Sequence, residues 1–138
     1  MSLEVLYPLV SEAIRRAETL DDLRAPGSLA AYLDVSLLEE KVAEVLPASD
    51  PEGALARRGA VRAALTAREL TRAQQLAERF LAEAGTDTEL RDDLLRLVEQ
   101  AERAVAARYP HVAASIGISE VRRLARALID QGAPFPIG

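Results

Sequence analysis

The sequence predicts an all-α protein, a single-domain bundle of five or six helices with a long central helical hairpin. Apolar residues recur at the three- and four-residue spacing of a helix face through nearly every segment. Capping residues, prolines and glycines separate these segments. Aromatic residues are only 4% of a chain that is 49% hydrophobic, so aliphatic side chains and alanine must form the core. The 138 residues fit one domain, which ends in an apolar, proline-containing tail at 133–138.

The first helix is predicted from an apolar stripe between Leu3 and Ala17. Pro8 has no amide hydrogen to donate, so either this helix begins near Tyr7 or a preceding turn is kinked. Residues 25–27, with the sequence Ala-Pro-Gly, then interrupt the helical pattern.

The second helix is predicted to begin at Ser36, after a short start at Ser28. Glu39 lies three residues after Ser36, which is the spacing of a capping box, where two side chains satisfy amides at a helix start. Pro47 ends this helix. Its predicted buried side consists of Leu37, Leu38, Val42, Val45 and Leu46.

A third helix is predicted to begin at Pro51, since Asp50 supplies an N-cap acceptor and proline suits the first helical position. Helical periodicity continues to Ala84, but the apolar stripes of the two halves are offset. Because Thr66 and Glu69 form a second capping-box pattern, the stretch is either one central helix or two helices with a kink near Thr66. We favour one helix, since neither glycine nor proline occurs at the junction. The predicted apolar side of its first half is Ala54, Leu55, Val61 and Leu65.

The remaining chain predicts a helical hairpin and a final helix. Gly85 is expected to end the preceding helix, and Thr86 with Glu89 to open the next through a capping box. The apolar stripe of that helix continues to Arg108. Because the connection is short, the two helices are predicted to be antiparallel neighbours. A final helix is predicted within 119–132.

The side-chain inventory excludes several kinds of chemistry. The chain has no cysteine and a single histidine, His111. A disulfide framework, a thiolate zinc site and an iron–sulfur cluster are therefore excluded. The sequence around His111 has neither a nucleophile motif nor the Glu-x-x-His pattern of helical metal sites. We therefore assign no catalytic, cofactor-binding or metal-binding residue and expect no cofactor.

We expect a non-catalytic protein–protein interaction module that binds another protein or, by preference, a second copy of itself as a homodimer. No apolar run reaches the length of a membrane span, so we expect a cytoplasmic protein without a membrane partner. Phe135 and Ile137 in the tail are predicted to be apolar anchors, buried in the chain's own bundle or across a subunit boundary. The regular stripes of the hairpin suggest self-association at Leu70, Phe80, Leu94 and Val98.

A run of arginines suggests two alternative functions. These are a nucleic-acid-binding regulator and an all-helical enzyme that acts on an anionic substrate through Arg and Glu. Residues 113–119 resemble the turn of a helix-turn-helix DNA-binding motif, but Arg123 and Arg126 occupy positions that are apolar in that family. The net charge of −5 also makes nucleic acid the less favoured partner. The predicted anion or partner contacts are Arg57, Arg58, Arg62, Arg68 and Arg72.

Overall fold

A computed structural model describes residues 1–110, and this part of the chain forms five α-helices and no strand. The predicted all-α bundle is confirmed. The predicted final helix and the tail anchors Phe135 and Ile137 lie outside the described residues. In chain order the helices are α1 (Leu3–Asp22), α2 (Ser28–Val45), α3 (Pro51–Thr66), α4 (Leu70–Leu81) and α5 (Thr88–Arg108).

The bundle is organised around α2 and α3. Helix α2 makes extensive contacts with α1 and α3, while α3 also contacts α4 and α5, which pack against each other. One core cluster draws residues from all five helices, and its largest fully buried side chains include Phe80, Leu6, Leu90 and Leu94. Many of its other members are alanines, whose small side chains let helix backbones approach closely.

The start of α3 follows the prediction. Asp50 is its N-cap and accepts a hydrogen bond from the Glu52 amide at 2.8 Å. Gly53 in the same turn permits the tight connection from α2, because a Cβ atom there would lie 2.1 Å from the carbonyl oxygen of Pro47. Any larger residue at this position would force the first turn of α3 away from the end of α2.

The predicted capping boxes at Ser36 and Thr86 are wrong. Helix α2 begins eight residues before Ser36, whose hydroxyl is buried and donates to the carbonyl of Ala60 on α3. Helix α5 is capped by Asp87, which accepts from the Leu90 amide at 2.8 Å. The Thr86 hydroxyl instead donates to carbonyls at the end of α4. A hydroxyl can accept from an amide at a helix start or donate to a carbonyl, because it is both an acceptor and a donor.

Residues 51–84 form two helices, so the single central helix was the wrong alternative. Helix α3 ends at Thr66, and Arg68 adopts a left-handed φ of +62°. The Glu69 amide donates to the Ala64 carbonyl and the Arg68 amide to the Leu65 carbonyl. These two bonds make a Schellman motif, a helix ending that usually has glycine at the left-handed position. Thr66 donates its hydroxyl to Arg62 within α3, so it does not cap α4.

Two further expectations change. Helix α1 begins at Leu3 and continues through Pro8, whose missing amide hydrogen falls in an exposed part of the early helix. Leu37, Val45 and Leu55, which the sequence pattern predicts to be buried, are 42%, 47% and 62% exposed. Among residues 1–110, no helix is both long enough and apolar enough to span a membrane.

Candidate interaction surface

The structure places Arg57, the first residue of the predicted arginine run, inside the protein, with 3% of its surface exposed. Its Nη1 donates to the carbonyls of Leu46 and Gly53, both at 2.9 Å. Its Nη2 donates to Ala43, and Nη2 and Nε together bind the Glu83 carboxylate. All five N–H groups of the guanidinium are thus used within the chain.

A second internal network uses Arg72. Its Nε donates to the buried hydroxyl of Ser36 at 3.0 Å, and its Nη2 donates to Glu40 at 2.7 Å. Arg79 binds the other oxygen of Glu40 at 2.8 Å. Desolvation raises the pKa of Glu40, but the hydrogen bonds from both arginines outweigh it and leave the pKa below the ordinary value. This network ties α2 to α4.

The other three arginines of the run do not form one strip. Arg58 on α3 donates to Asp93 on α5 at 2.5 Å. Arg62 is exposed and lines a basin between α3 and α5. Arg68 is exposed at the break between α3 and α4. The predicted anion contact therefore has at most Arg62 and Arg68 available without disturbing an ion pair seen among the described residues.

Three of the four residues predicted for self-association belong to the core of one chain. Phe80 is 1% exposed, and the guanidinium groups of Arg57 and Arg79 lie over its ring, 5.5 and 5.0 Å from the centroid. Leu94 and Val98 are also buried, and Leu70 is partly exposed. A second copy cannot make an interface from Phe80, Leu94 and Val98 while the bundle stays folded.

Exposed apolar side chains concentrate instead in α1, α2 and the turn between them. Of the ten large apolar residues that are exposed within residues 1–110, eight lie between Met1 and Val45. Leu9 on α1 and Leu37 on α2 flank a groove of about 400 Å³, which we call the α1–α2 groove. The residues that line it are Leu9, Glu12, Ala13, Arg16, Ala31, Asp34, Leu37 and Leu38.

Both signs of charge occur on the rim of the α1–α2 groove. Arg16 and Asp34 are exposed, and neither has an ion-pair partner among the described residues. Glu12 is bonded to its neighbour Arg15. Within residues 1–110, the rim therefore offers a cation, Arg16, and an anion, Asp34, that are not in an ion pair, beside an apolar floor.

On the other side of α2, Glu39 lies against α3. Its carboxyl carbon lies 3.0 Å from the place where a Cβ atom of Gly59 would be. Burial raises the pKa of Glu39 to about 7.

Tyr7 on α1 is near Glu39, and its hydroxyl donates to Glu52. This hydrogen bond, desolvation and the charges of Glu52, Asp50 and Glu39 raise the pKa of Tyr7 to about 12. These acidic groups are not arranged to hold a metal, and the same holds for every other acidic group within residues 1–110.

The described helices form a bundle, and the α1–α2 groove is an exposed, largely apolar surface on one face of it. A scan against protein-family models found no match to this chain, and neither did searches of curated proteins and of solved structures. Sequence reasoning missed the α1–α2 groove because the periodicity of α1 and α2 does not state which apolar residues face the neighbouring helix. The available signal was the number of apolar positions on α2, which is larger than one buried stripe requires.

Proposed function

We propose that this protein is a non-catalytic protein–protein interaction module that self-associates as a homodimer through the α1–α2 groove. The observation that carries the proposal is the α1–α2 groove, which two exposed leucines, Leu9 and Leu37, flank in the region that holds eight of the ten exposed large apolar residues within 1–110. Contiguous exposed apolar surface is typical of interaction sites, because leaving it in water has a free-energy cost. We also propose a cytoplasmic location, which suits a chain that requires no disulfide.

The charges on the rim favour a second copy as the occupant. In a two-fold dimer the same surface meets itself, so a group that lies away from the axis approaches a different group on the other copy, and each such contact occurs twice. Arg16 of one copy is then able to pair with Asp34 of the other, and the symmetric pair forms at the same time. The two leucines, Leu9 and Leu37, cover the apolar floor of the opposite groove. The surface is therefore self-complementary in both charge and polarity.

The first test is the mass in solution. We expect light scattering at about 100 µM to give twice the chain mass of 14.9 kDa. The double variant Leu9→Glu/Leu37→Glu is expected to be a monomer with the wild-type helix content, because both positions are exposed. Leu55→Glu is the matched control, since Leu55 is exposed on α3 and outside the groove; it is expected to remain dimeric. A monomeric wild-type protein at this concentration contradicts self-association.

A charge exchange tests the pairing itself. Arg16→Glu and Asp34→Arg, each made alone, place like charges opposite each other in the dimer, and we expect each to raise the dissociation constant at least about tenfold. The combined variant restores opposite charges and is expected to recover most of the affinity. If the combined variant is as weak as the sum of the single changes, the two-fold pairing of these residues is wrong.

A further inference from the structure

The basin between α3 and α5 is a second candidate site, distinct from the α1–α2 groove. It has a volume of about 480 Å³, within the range of small-molecule sites. Arg62 reaches it from α3, whereas Arg96 and Arg103 reach it from α5. Its remaining lining residues are Asp93, Leu97, Glu99 and Gln100.

The arginines of this basin are only partly neutralised within residues 1–110. Asp93 accepts from both Arg58 and Arg96, so one carboxylate serves two guanidiniums. Desolvation raises the pKa of Asp93, but these hydrogen bonds outweigh it and lower the pKa, so the carboxylate stays ionised. Arg62 and Arg103 have no carboxylate within salt-bridge distance in the described part of the chain.

Glu99 lines the basin but forms no ion pair with Arg62 or Arg103 among the described residues. It lies one helical turn before Arg103. Two guanidiniums on different helices, those of Arg62 and Arg103, thus line one basin without a carboxylate partner in residues 1–110. Like charges brought together repel each other unless an anion separates them.

We propose that this basin binds a small molecule through its phosphate or pyrophosphate group. A guanidinium presents a planar pair of donors that matches two phosphate oxygens, and the Gln100 amide adds a neutral donor beside them. The buried side chain of Leu97 supplies an apolar wall for the rest of such a molecule. The site is independent of the proposed dimer, because its residues belong to α3 and α5.

Calorimetric titration with inorganic pyrophosphate tests the site. At about 50 mM salt we expect a dissociation constant below about 1 mM, weakening as salt is added. Arg62→Gln and Arg103→Gln are each expected to raise it about tenfold, because each removes a charged donor. Arg91→Gln is the matched control on α5, since Arg91 is exposed but does not line the basin; it is expected to bind as the wild type does.

Glu99→Gln gives a test of the opposite sign. This change removes a repulsive charge from the basin, so we expect pyrophosphate to bind several-fold more tightly. All these positions are exposed, so helix content and melting temperature are expected to stay unchanged. The proposal is overturned if the wild type does not bind pyrophosphate. It is also overturned if Arg62→Gln and Arg103→Gln bind pyrophosphate as tightly as the wild type does.

Two further ligands define the chemistry. If ADP binds more tightly than pyrophosphate, the source is an organic phosphate whose remainder contacts the basin; equal affinity indicates that the phosphate groups alone are recognised. Both results support a phosphate site. If citrate binds as tightly as pyrophosphate, the basin attracts anions in general and the assignment to phosphate is wrong.

Discussion

The first two helices and the last three distribute apolar and charged groups in opposite ways. Within residues 1–110, α1, α2 and their flanks carry eight of the ten exposed large apolar side chains, whereas α3 to α5 carry two, Leu55 and Leu95. Conversely, three of the four buried polar residues, Arg57, Gln74 and Glu102, belong to α3, α4 and α5. Exposed apolar side chains are thus concentrated in one region, while the other region holds most of the buried polar side chains.

The difference extends to how each region treats a buried charge. Arg57 in α3 has every donor satisfied, whereas the carboxyl of Glu39 in α2 rests on the backbone of Gly59 with its pKa raised. A buried charge stabilises a fold only when its partners replace the water that it has lost. The two residues should therefore respond to neutralisation with opposite signs.

The largest effect is expected at Arg57. We expect Arg57→Met to lower the free energy of unfolding by about 3–5 kcal/mol, because it leaves Glu83 unpaired and removes the side-chain donor from the carbonyls of Ala43 and Leu46. Urea denaturation followed by circular dichroism measures this difference. Arg91→Met on the surface of α5 is the control and should change stability by less than about 0.5 kcal/mol. A comparable loss in both variants would mean that burial of Arg57 has no special role.

An effect of the opposite sign is expected at Glu39. Because its pKa is raised from 4.5 to about 7, the folded state holds the proton more tightly than the unfolded state does. The resulting stability is fully present below pH 4.5 and is lost as the pH rises through about 7. Glu39→Gln stays neutral, so we expect it to exceed the wild type by about 1–2 kcal/mol above pH 7, after allowance for solvent access.

Denaturant unfolding at several pH values measures the Glu39 effect. The advantage of Glu39→Gln should vanish near pH 4. Glu44→Gln is a control on the exposed side of α2, and no comparable pH dependence is expected there. An advantage that is the same at all pH values would show that packing, and not ionisation, distinguishes the amide from the carboxyl.

The smallest change in stability is expected where glycine replaces the left-handed arginine at the end of α1 or α3, and it should be equal in the two regions. Helix α1 ends as α3 does, with an arginine, Arg24, at a left-handed φ of +52° and the Ala25 amide bonded to the Leu20 carbonyl. Glycine adopts this conformation without steric cost, so Arg24→Gly and Arg68→Gly should each stabilise the protein by about 0.5–1 kcal/mol. Thermal unfolding measures both. Arg15→Gly in the middle of α1 is the control and should destabilise.

These helix endings explain which parts of the fold the sequence could predict. Asp50 and Pro51 predict the start of α3, because a side-chain acceptor and a fixed φ act locally. The end of α3 gives no such signal, since arginine occupies the position where glycine is usual. The break between α3 and α4 therefore depends on tertiary packing that the local sequence does not contain.

The candidate surfaces were harder to predict for a related reason. The acids that bind Arg57, Arg58 and Arg72 lie between 26 and 35 residues away in sequence. Only the packing of the helices brings these arginines into ion pairs within the chain. Periodicity placed Phe80 and Leu94 on the apolar stripes of two hairpin helices, but it could not distinguish a core from a subunit contact.

The contacts of Arg57 also bear on how the chain folds. Pro47 has no amide hydrogen to offer the Ala43 carbonyl, the bond that would otherwise close the last turn of α2. A side chain from α3 occupies that place, and its charge is balanced by Glu83 just beyond α4. The final turn of α2 is therefore completed only when three successive helices have assembled. Backbone amides there should exchange with solvent as one cooperative unit with α3 and α4, and a fragment limited to α1 and α2 should fray at this end.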